Sequence, residues 1–449
     1  MAAAPTTAVT LPSDLSFEAL IDGRKYTASN ITYSFPTAGS QYGSNYSTAN
    51  EPAHGFQAFN TIQQAAIRDA LARVESYTNL SFTEITETST QHAVLRWGET
   101  STVLDATTTS AWQYNASRSG DKQGDGWFNV SPPNEGYNDP TLGEGAYATF
   151  MHELGHGLGL KHPHDTNGGT RDPMPAEFDN RNYTVMSYNR VSGGAVQSYM
   201  MNDIAALQHL YGADFNTNSG NTTYRWSPTT GQMSINGVGQ KTPYVNKILM
   251  TIWDGNGIDT YDFSNYTSAL TVDLNPGGWT SLGNSQHMTG ALGEIANAQL
   301  YHGDIRSLIE NAKGGSGNDT LTGNQAANVL EGGGGIDRLK GNAGNDTFLF
   351  RTAADTNNGS SFDTILDFTS GDKIDVSNID ADSTVFGLQD FTFAGSTSTL
   401  TKGRLGFYYD SANNCTLVEG NTDTDATSEL KLALSGNHLA SLSAADFVL

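Results

Sequence analysis

The sequence predicts an α+β N-terminal half followed by an all-β half, a parallel β-roll with β-sandwich character. Three observations carry that prediction. Helix-period and strand-period segments alternate up to about residue 212. Beyond it the helical signals fade and Gly, Asn and Asp dominate. From Gly314 a nine-residue Gly/Asp unit repeats. With 449 residues, two domains are expected, spanning 25–212 and 213–449.

Residues 1–24 are small, polar and unpatterned, and are expected to form an N-terminal tail or pro-segment. Ile31-Thr-Tyr-Ser-Phe35 alternates as a strand does. Phe56 to Val74 carries Phe59, Ile62, Ala66, Ile67, Leu71 and Val74 at helical spacing. Leu80–Ile85, Ala93–Trp97, Ser110–Asn115 and Gly126–Val130 read as short strands. Gly145–Leu160 and Met201–Tyr211 read as helices.

Charge and cysteine content narrow the function. Against 23 Lys+Arg stand 47 Asp+Glu, a net charge of −24, which argues against nucleic acid as a partner. Cys415 is the single cysteine, so an internal disulfide is excluded and bound metals become the natural source of extra stability. No stretch is long and apolar enough to insert into a membrane. The first residues show neither the basic region nor the apolar run of a secretory signal peptide.

In His152-Glu-Leu-Gly-His156 the histidines are four residues apart, so on a helix both imidazoles leave from one face and can grip one zinc ion. Glu153 lies one position off that pair, placed to reach an activated water as general base without ligating. Gly159 lets the chain turn, and His162 returns as a third ligand. Three neutral histidines leave an open coordination position, as hydrolytic rather than structural zinc requires. Zinc would lower the pKa of water and polarise a carbonyl, and Glu153 would shuttle the proton to the leaving amine. His164 is expected to be a solvated loop residue rather than a ligand.

The repeats run Gly314–Thr322, Gly323–Glu331, Gly332–Lys340 and Gly341–Leu349. Their glycine-rich halves turn tightly and present carbonyl oxygens, while Asp319, Asp337 and Asp346 add carboxylates for calcium, a hard cation wanting 6–8 oxygens. Leu321, Leu330, Leu339 and Phe348 recur at the eighth position and are expected to fill the roll interior. In the second repeat Asn328 replaces the aspartate and Ala326 a glycine, so a weak or absent site is expected on that row. Expected calcium ligands are Gly314, Gly315, Gly317, Asp319, Gly332, Gly333, Gly335, Asp337, Gly341, Asn342, Gly344 and Asp346.

The zinc motif with Gly159 is the metzincin pattern, and the nonapeptide is the repeat of RTX proteins. With His162-Pro163, Met186-Ser-Tyr188 and Asn202–Gly212, the chain resembles the serralysins, secreted bacterial zinc metalloproteases with a calcium-binding roll. The resemblance implies a metzincin protease domain, a broad-specificity endopeptidase acting on proteins and peptides, and a monomer. It implies Tyr188 as a movable zinc ligand that later binds the oxyanion, Met186 as the floor under the metal, and an edge strand, best placed at Ser110–Asn115, that pairs with substrate. Gly157 departs from the family, which usually has a larger residue after the second histidine. Outlying calcium ligands follow from the same resemblance: Asn218, Gly220, Thr222, Asp254, Asn256, Gly257, Asp259, Leu308 and Glu310, with Asp355 and Asp363 closing the roll. Export through a type I (ABC) secretion apparatus, a removable N-terminal pro-segment and a protein inhibitor belong to the same expectation, which places the protein outside the cell. A roll alone would also suit a calcium-dependent binding protein, but such a module has no need of Glu153.

Overall fold

The computed structural model describes residues 4–43, 46–47, 49–88, 90–101, 110–118, 120–129, 137–166, 172–356 and 361–449. Its first half is built on a five-stranded sheet in the order Ser81–Glu84, Asn30–Ser34, Leu95–Thr100, Asp125–Asn129, Ala111–Gln113. The first four strands are parallel and the last is antiparallel, on the edge. The expected strands are all present, within a few residues; Val130 lies outside the described residues.

Helix Thr61–Tyr77 starts later than its apolar pattern because Asn60 caps it. The Asn60 side chain accepts from the Ile62 and Gln63 amides, and Gln63 reaches back to the Asn60 N–H, so the start is fixed by hydrogen bonds rather than by hydrophobicity. Its buried face of Ala66, Ile67, Ala70, Leu71 and Val74 packs in the core with helix Gly145–Gly157. The third helix, Met201–Tyr211, has the expected bounds.

Parts of the stretch expected as a tail or pro-segment are packed into the fold. Thr6–Ala8 pairs with Arg24–Tyr26, and a one-turn helix spans Leu15–Glu18. Ala19, Leu20 and Ile21 are fully buried. Three apolar residues in a row are too few to show a period, so this packing is not legible from periodicity. The Lys161 N–H donates to the Leu20 carbonyl at 2.7 Å and the Asp22 N–H to that of Gly159 at 2.9 Å, so this segment braces the loop leading to His162.

The second half is mostly β. Short parallel strands alternate between two sheets, and the repeat residues Leu321, Leu330, Leu339 and Phe348 are fully buried between them, as expected. Leu321 pairs in register with Leu339 on one sheet and Leu330 with Phe348 on the other, so each 18-residue pair of repeats makes one turn of the roll. Antiparallel strands Arg404–Asp410, Cys415–Asn421 and Leu430–Ser435 extend one sheet, and Phe447–Val448 closes the other. Leu249, Trp253 and Met288 join the core of the first half, so the two halves share a packed seam.

Candidate active site

Helix Gly145–Gly157 carries His152, Glu153 and His156 and stops where Gly159, at φ +103°, turns the chain. A side chain there would meet the Arg24 carbonyl oxygen at 2.7 Å, so glycine is required on both counts. The turn brings His162 Nε2 to 3.2 Å from His152 Nε2 and 3.1 Å from His156 Nε2. Tetrahedral zinc with Zn–N bonds of about 2.05 Å would hold its ligand atoms about 3.3 Å apart, close to what is seen.

The outer ring atoms explain the convergence. His152 Nδ1 lies 3.0 Å from the Val185 carbonyl oxygen, and His156 Nδ1 lies 2.9 Å from that of Leu160. A carbonyl can only accept, so each Nδ1 carries the hydrogen and each Nε2 turns a lone pair inward. Burial pushes the His152 pKa well below its usual value, with His156 and His162 adding to the effect. Burial also lowers His156, and it takes His162 down to about 3. The imidazoles are therefore neutral, as ligands must be. Two lone pairs turned onto a third ring nitrogen at 3.1–3.2 Å are what a cation relieves, so the residues fit zinc.

Around this cluster, Tyr188 places its hydroxyl 2.8 Å from His162 Nε2 and remains 59% exposed. Partial burial, then the Glu153 charge, raise its pKa, which places the Glu153 carboxylate within electrostatic reach. Glu153 is itself buried. His164 is exposed and stacks flat on His162 at 5.2 Å, outside the three-histidine group. Met186 packs beneath the helix, its sulfur 2.8 Å from where a Gly155 Cβ would sit.

Two supporting residues escaped the sequence reading. Fully buried Asp203 accepts from Thr184 Oγ1 at 2.6 Å, the Val185 N–H at 2.7 Å and the Met200 N–H at 2.9 Å. It thus fixes the peptide whose carbonyl orients His152. Asp165 presents its carboxylate 3.5 Å from His162 Nδ1. Nothing periodic marks either residue in the sequence.

Gly157, the departure noted in the sequence, has a local reason. A Cβ there would lie 2.2 Å from Gln113 Nε2. Gln113 belongs to the edge strand Ala111–Gln113, so glycine lets that strand approach the histidine-bearing helix closely. Beside the start of the same helix, a cavity of about 690 Å³ is lined by Asp139, Glu144, Arg190, Tyr244 and Val245 among others.

In the roll, carboxylates form two ladders. In one, the amides of Leu270, Asp319 and Asp337 donate to the Oδ1 atoms of Asp319, Asp337 and Asp363 at 2.7–2.8 Å. In the other, the Thr222 N–H donates to Asp259, that of Asp259 to Glu310, that of Asn328 to Asp346 and that of Asp346 to Asp372. Asp259 Oδ2, Asp337 Oδ2 and Asp363 Oδ2 are buried with no hydrogen-bond partner among the described residues. Burial first, then neighbouring carboxylates, push Asp337 and Asp259 up to about 8. Burial raises Asp363 and Glu310 to about 7. Packed carboxylates with orphaned oxygens fit a hard divalent cation.

The other residues expected as calcium ligands lie as follows. Gly314, Gly315 and Gly317 stack on Gly332, Gly333 and Gly335, the carbonyl oxygens of one turn lying within 2.2 Å of where a Cβ on the next would be. Gly341, Asn342 and Gly344 follow, with Asn342 in the left-handed region and its N–H on Asp367. Asn218 also has positive φ and donates to Tyr224 OH, which donates to Asp254 at 2.7 Å. Gly220 lies 2.7 Å from the position of a Gly257 Cβ, and the Asn256 N–H caps Asp254. Leu308 is buried just before Glu310. Asp355 instead accepts from Arg351 and Thr352 within its own turn. Asp367 and Asp372, not singled out from the sequence, accept the backbone N–H groups of Gly341, Asn342 and Asp346.

The family model for the peptidase M10 serralysin C-terminal region matches residues 213–449. The chain is 34% identical over 401 residues to metallopeptidase AprA of Pseudomonas marginalis, covering 83% of this chain and 78% of that protein. It is 32% identical over 401 residues to serralysin A of Dickeya chrysanthemi, covering 85% and 79%. With the histidine cluster in place, these likenesses define a metalloendopeptidase. The chain belongs to the serralysin family.

Proposed function

We propose that the chain is an exported, broad-specificity zinc endopeptidase in which Glu153 is the general base and the C-terminal half folds on calcium. The observation that carries the reading is the set of three Nε2 atoms converging at 3.1–3.2 Å with two of the opposite ring nitrogens pinned by backbone carbonyls. His152, His156 and His162, with Tyr188 in the resting state, would hold the metal. When bound, zinc supplies Lewis-acid polarisation and acidification of water.

The protein's own groups do the rest. Glu153 accepts the proton of the attacking water and returns it to the leaving amine, a general-base step followed by a general-acid step. Tyr188 swings from His162 and donates its hydroxyl hydrogen to the oxyanion as charge develops. Its exposure at the mouth of the site supports that motion. Strand Ala111–Gln113, last in its sheet, offers backbone pairing to an extended substrate, which suits broad specificity.

In this reading residues 25–212 form a metzincin domain and 213–449 a calcium roll with the ligands named above. Any segment removed from the first 24 residues would end before Asp14, since later residues brace the His162 loop. The acidic roll, loose at low calcium, suits passage through a type I (ABC) apparatus, with folding in external calcium. A protein inhibitor would compete for the same cleft. No helix of the described residues is long and apolar enough to cross a membrane.

The test is casein hydrolysis after metal stripping. Zinc, in the presence of calcium, should restore activity; calcium alone should not. Full activity in the zinc-free, calcium-loaded protein would refute the reading.

A further inference from the structure

The second ladder contains a rung built from amides. Asn328 stands between Glu310 and Asp346 where the other repeats have aspartate, and Asn324 lies four residues before it. Both are buried, at 1% and 0% exposure. Asn328 Oδ1 accepts from the Asn324 N–H at 2.8 Å, as Asp319 Oδ2 accepts from Gly315 N–H at 2.7 Å. The hydrogen bond that closes the turn is therefore the same on both kinds of rung.

What differs is the other end of the side chain. Because Oδ1 meets an N–H, Nδ2 of Asn328 faces oxygen: the Glu310 carbonyl at 2.6 Å and Asn324 Oδ1 at 3.1 Å. Asn324 Nδ2 donates to the carbonyls of Ile309 at 2.8 Å and Leu274 at 3.0 Å. From the next turn, Asn342 Nδ2 donates to the Gly323 carbonyl at 2.6 Å. Inward-facing carbonyl oxygens are the neutral ligands calcium uses. Here they already hold N–H hydrogens, which a cation would meet head-on. No polar side-chain atom of Asn324 or Asn328 is left buried without a partner, in contrast to Asp337 and Asp363.

We infer that the Gly323–Glu331 rung is metal-free by construction, with the amides of Asn324 and Asn328 standing in for a calcium ion. The donor set does not fit the cation that the flanking rungs fit. The inference rests on the calcium reading of those flanking rungs. It has a consequence beyond a missing site. The turn Gly323–Asn328 carries no carboxylate, so removing calcium leaves no mutual carboxylate repulsion within it, and it persists when the aspartate rungs loosen. Strands Asn311–Lys313 and Val329–Glu331, paired through Ala312 and Leu330, would stay in register and give the roll a seam on which to refold.

Two measurements on the full chain test this. Hydrogen exchange followed by mass spectrometry in EDTA should show residues 323–331 exchanging roughly tenfold or more slowly than 314–322 and 332–340, with the three converging in saturating calcium. Elemental analysis after equilibration in calcium should show one more ion per chain in Asn324→Gly/Asn328→Asp than in the wild type. If the wild type binds no calcium, the calcium reading itself fails. If it binds calcium but the three segments exchange alike in EDTA, the amide rung is overturned. A folded double variant with unchanged calcium content overturns it too. Should that variant not fold, the exchange result on the wild type decides.

Discussion

Replacing Gly157 by alanine should destabilise the enzyme, although the substitution improves helix propensity by up to about 1 kcal/mol. The new Cβ would lie 2.2 Å from Gln113 Nε2 and 2.8 Å from its Cδ, so the Gln113 amide must leave. That amide accepts from Trp97 Nε1 at 3.1 Å and donates to the Gly124 carbonyl at 2.9 Å, both buried. Leaving each partner unsatisfied costs about 1–3 kcal/mol, for a net loss of about 1–5 kcal/mol after the propensity gain. Urea unfolding of the zinc- and calcium-loaded protein measures it. In a Gln113→Ala background the space is empty, and Gly157→Ala should become neutral or stabilising. The strand that moves is the proposed substrate strand, so KM should rise in the single variant more than zinc content falls. An equal effect of Gly157→Ala in both backgrounds would refute the packing argument.

Three further outcomes follow from the geometry. Asp203→Asn puts an NH2 group among donors that need an acceptor and frees the Val185 peptide; zinc affinity by chelator competition should fall about 10–100-fold, and an unchanged affinity would remove Asp203 from the zinc support. Tyr188→Phe should keep its zinc but lose about 10²–10³ in kcat, read from peptide hydrolysis beside metal analysis; undiminished kcat would argue against oxyanion binding. Asp337 and Asp363, raised to about 8 and 7, hold more protons folded than unfolded when calcium is absent. Their contribution is full below pH about 4 and is lost as pH rises through 7–8, so thermal unfolding in EDTA should be easier at pH 8 than at pH 5. Saturating calcium should reverse that order, because it favours the ionised form, and an unreversed order would count against carboxylate ligation.

Spacing made the chemistry legible. His152, His156 and His162 declare themselves because one helix face and one glycine turn suffice to bring them together, and Leu321 to Phe348 because a nine-residue period needs no tertiary information. Tyr188 was legible only through its resemblance. Features created by folding were not. Asp203 reaches the Val185 peptide from another helix, and an isolated aspartate carries no signature of its destination. The N-terminal brace depends on Ala19–Ile21, too short a run to show periodicity. Gly157 was visible as an oddity, but its cause lies on a strand 44 positions earlier in the chain. The amide rung was half legible: Asn328 signalled a missing carboxylate, while the carbonyls its NH2 group fills could be seen only in three dimensions.

The central claim is that Glu153 moves the proton while the histidines hold the metal. Glu153→Gln keeps size and packing and removes only the base, so zinc content and unfolding midpoint should match the wild type. Peptide hydrolysis should fall by about 10²–10⁴. A zinc-loaded Glu153→Gln enzyme that cleaves peptides at the wild-type rate would contradict the account.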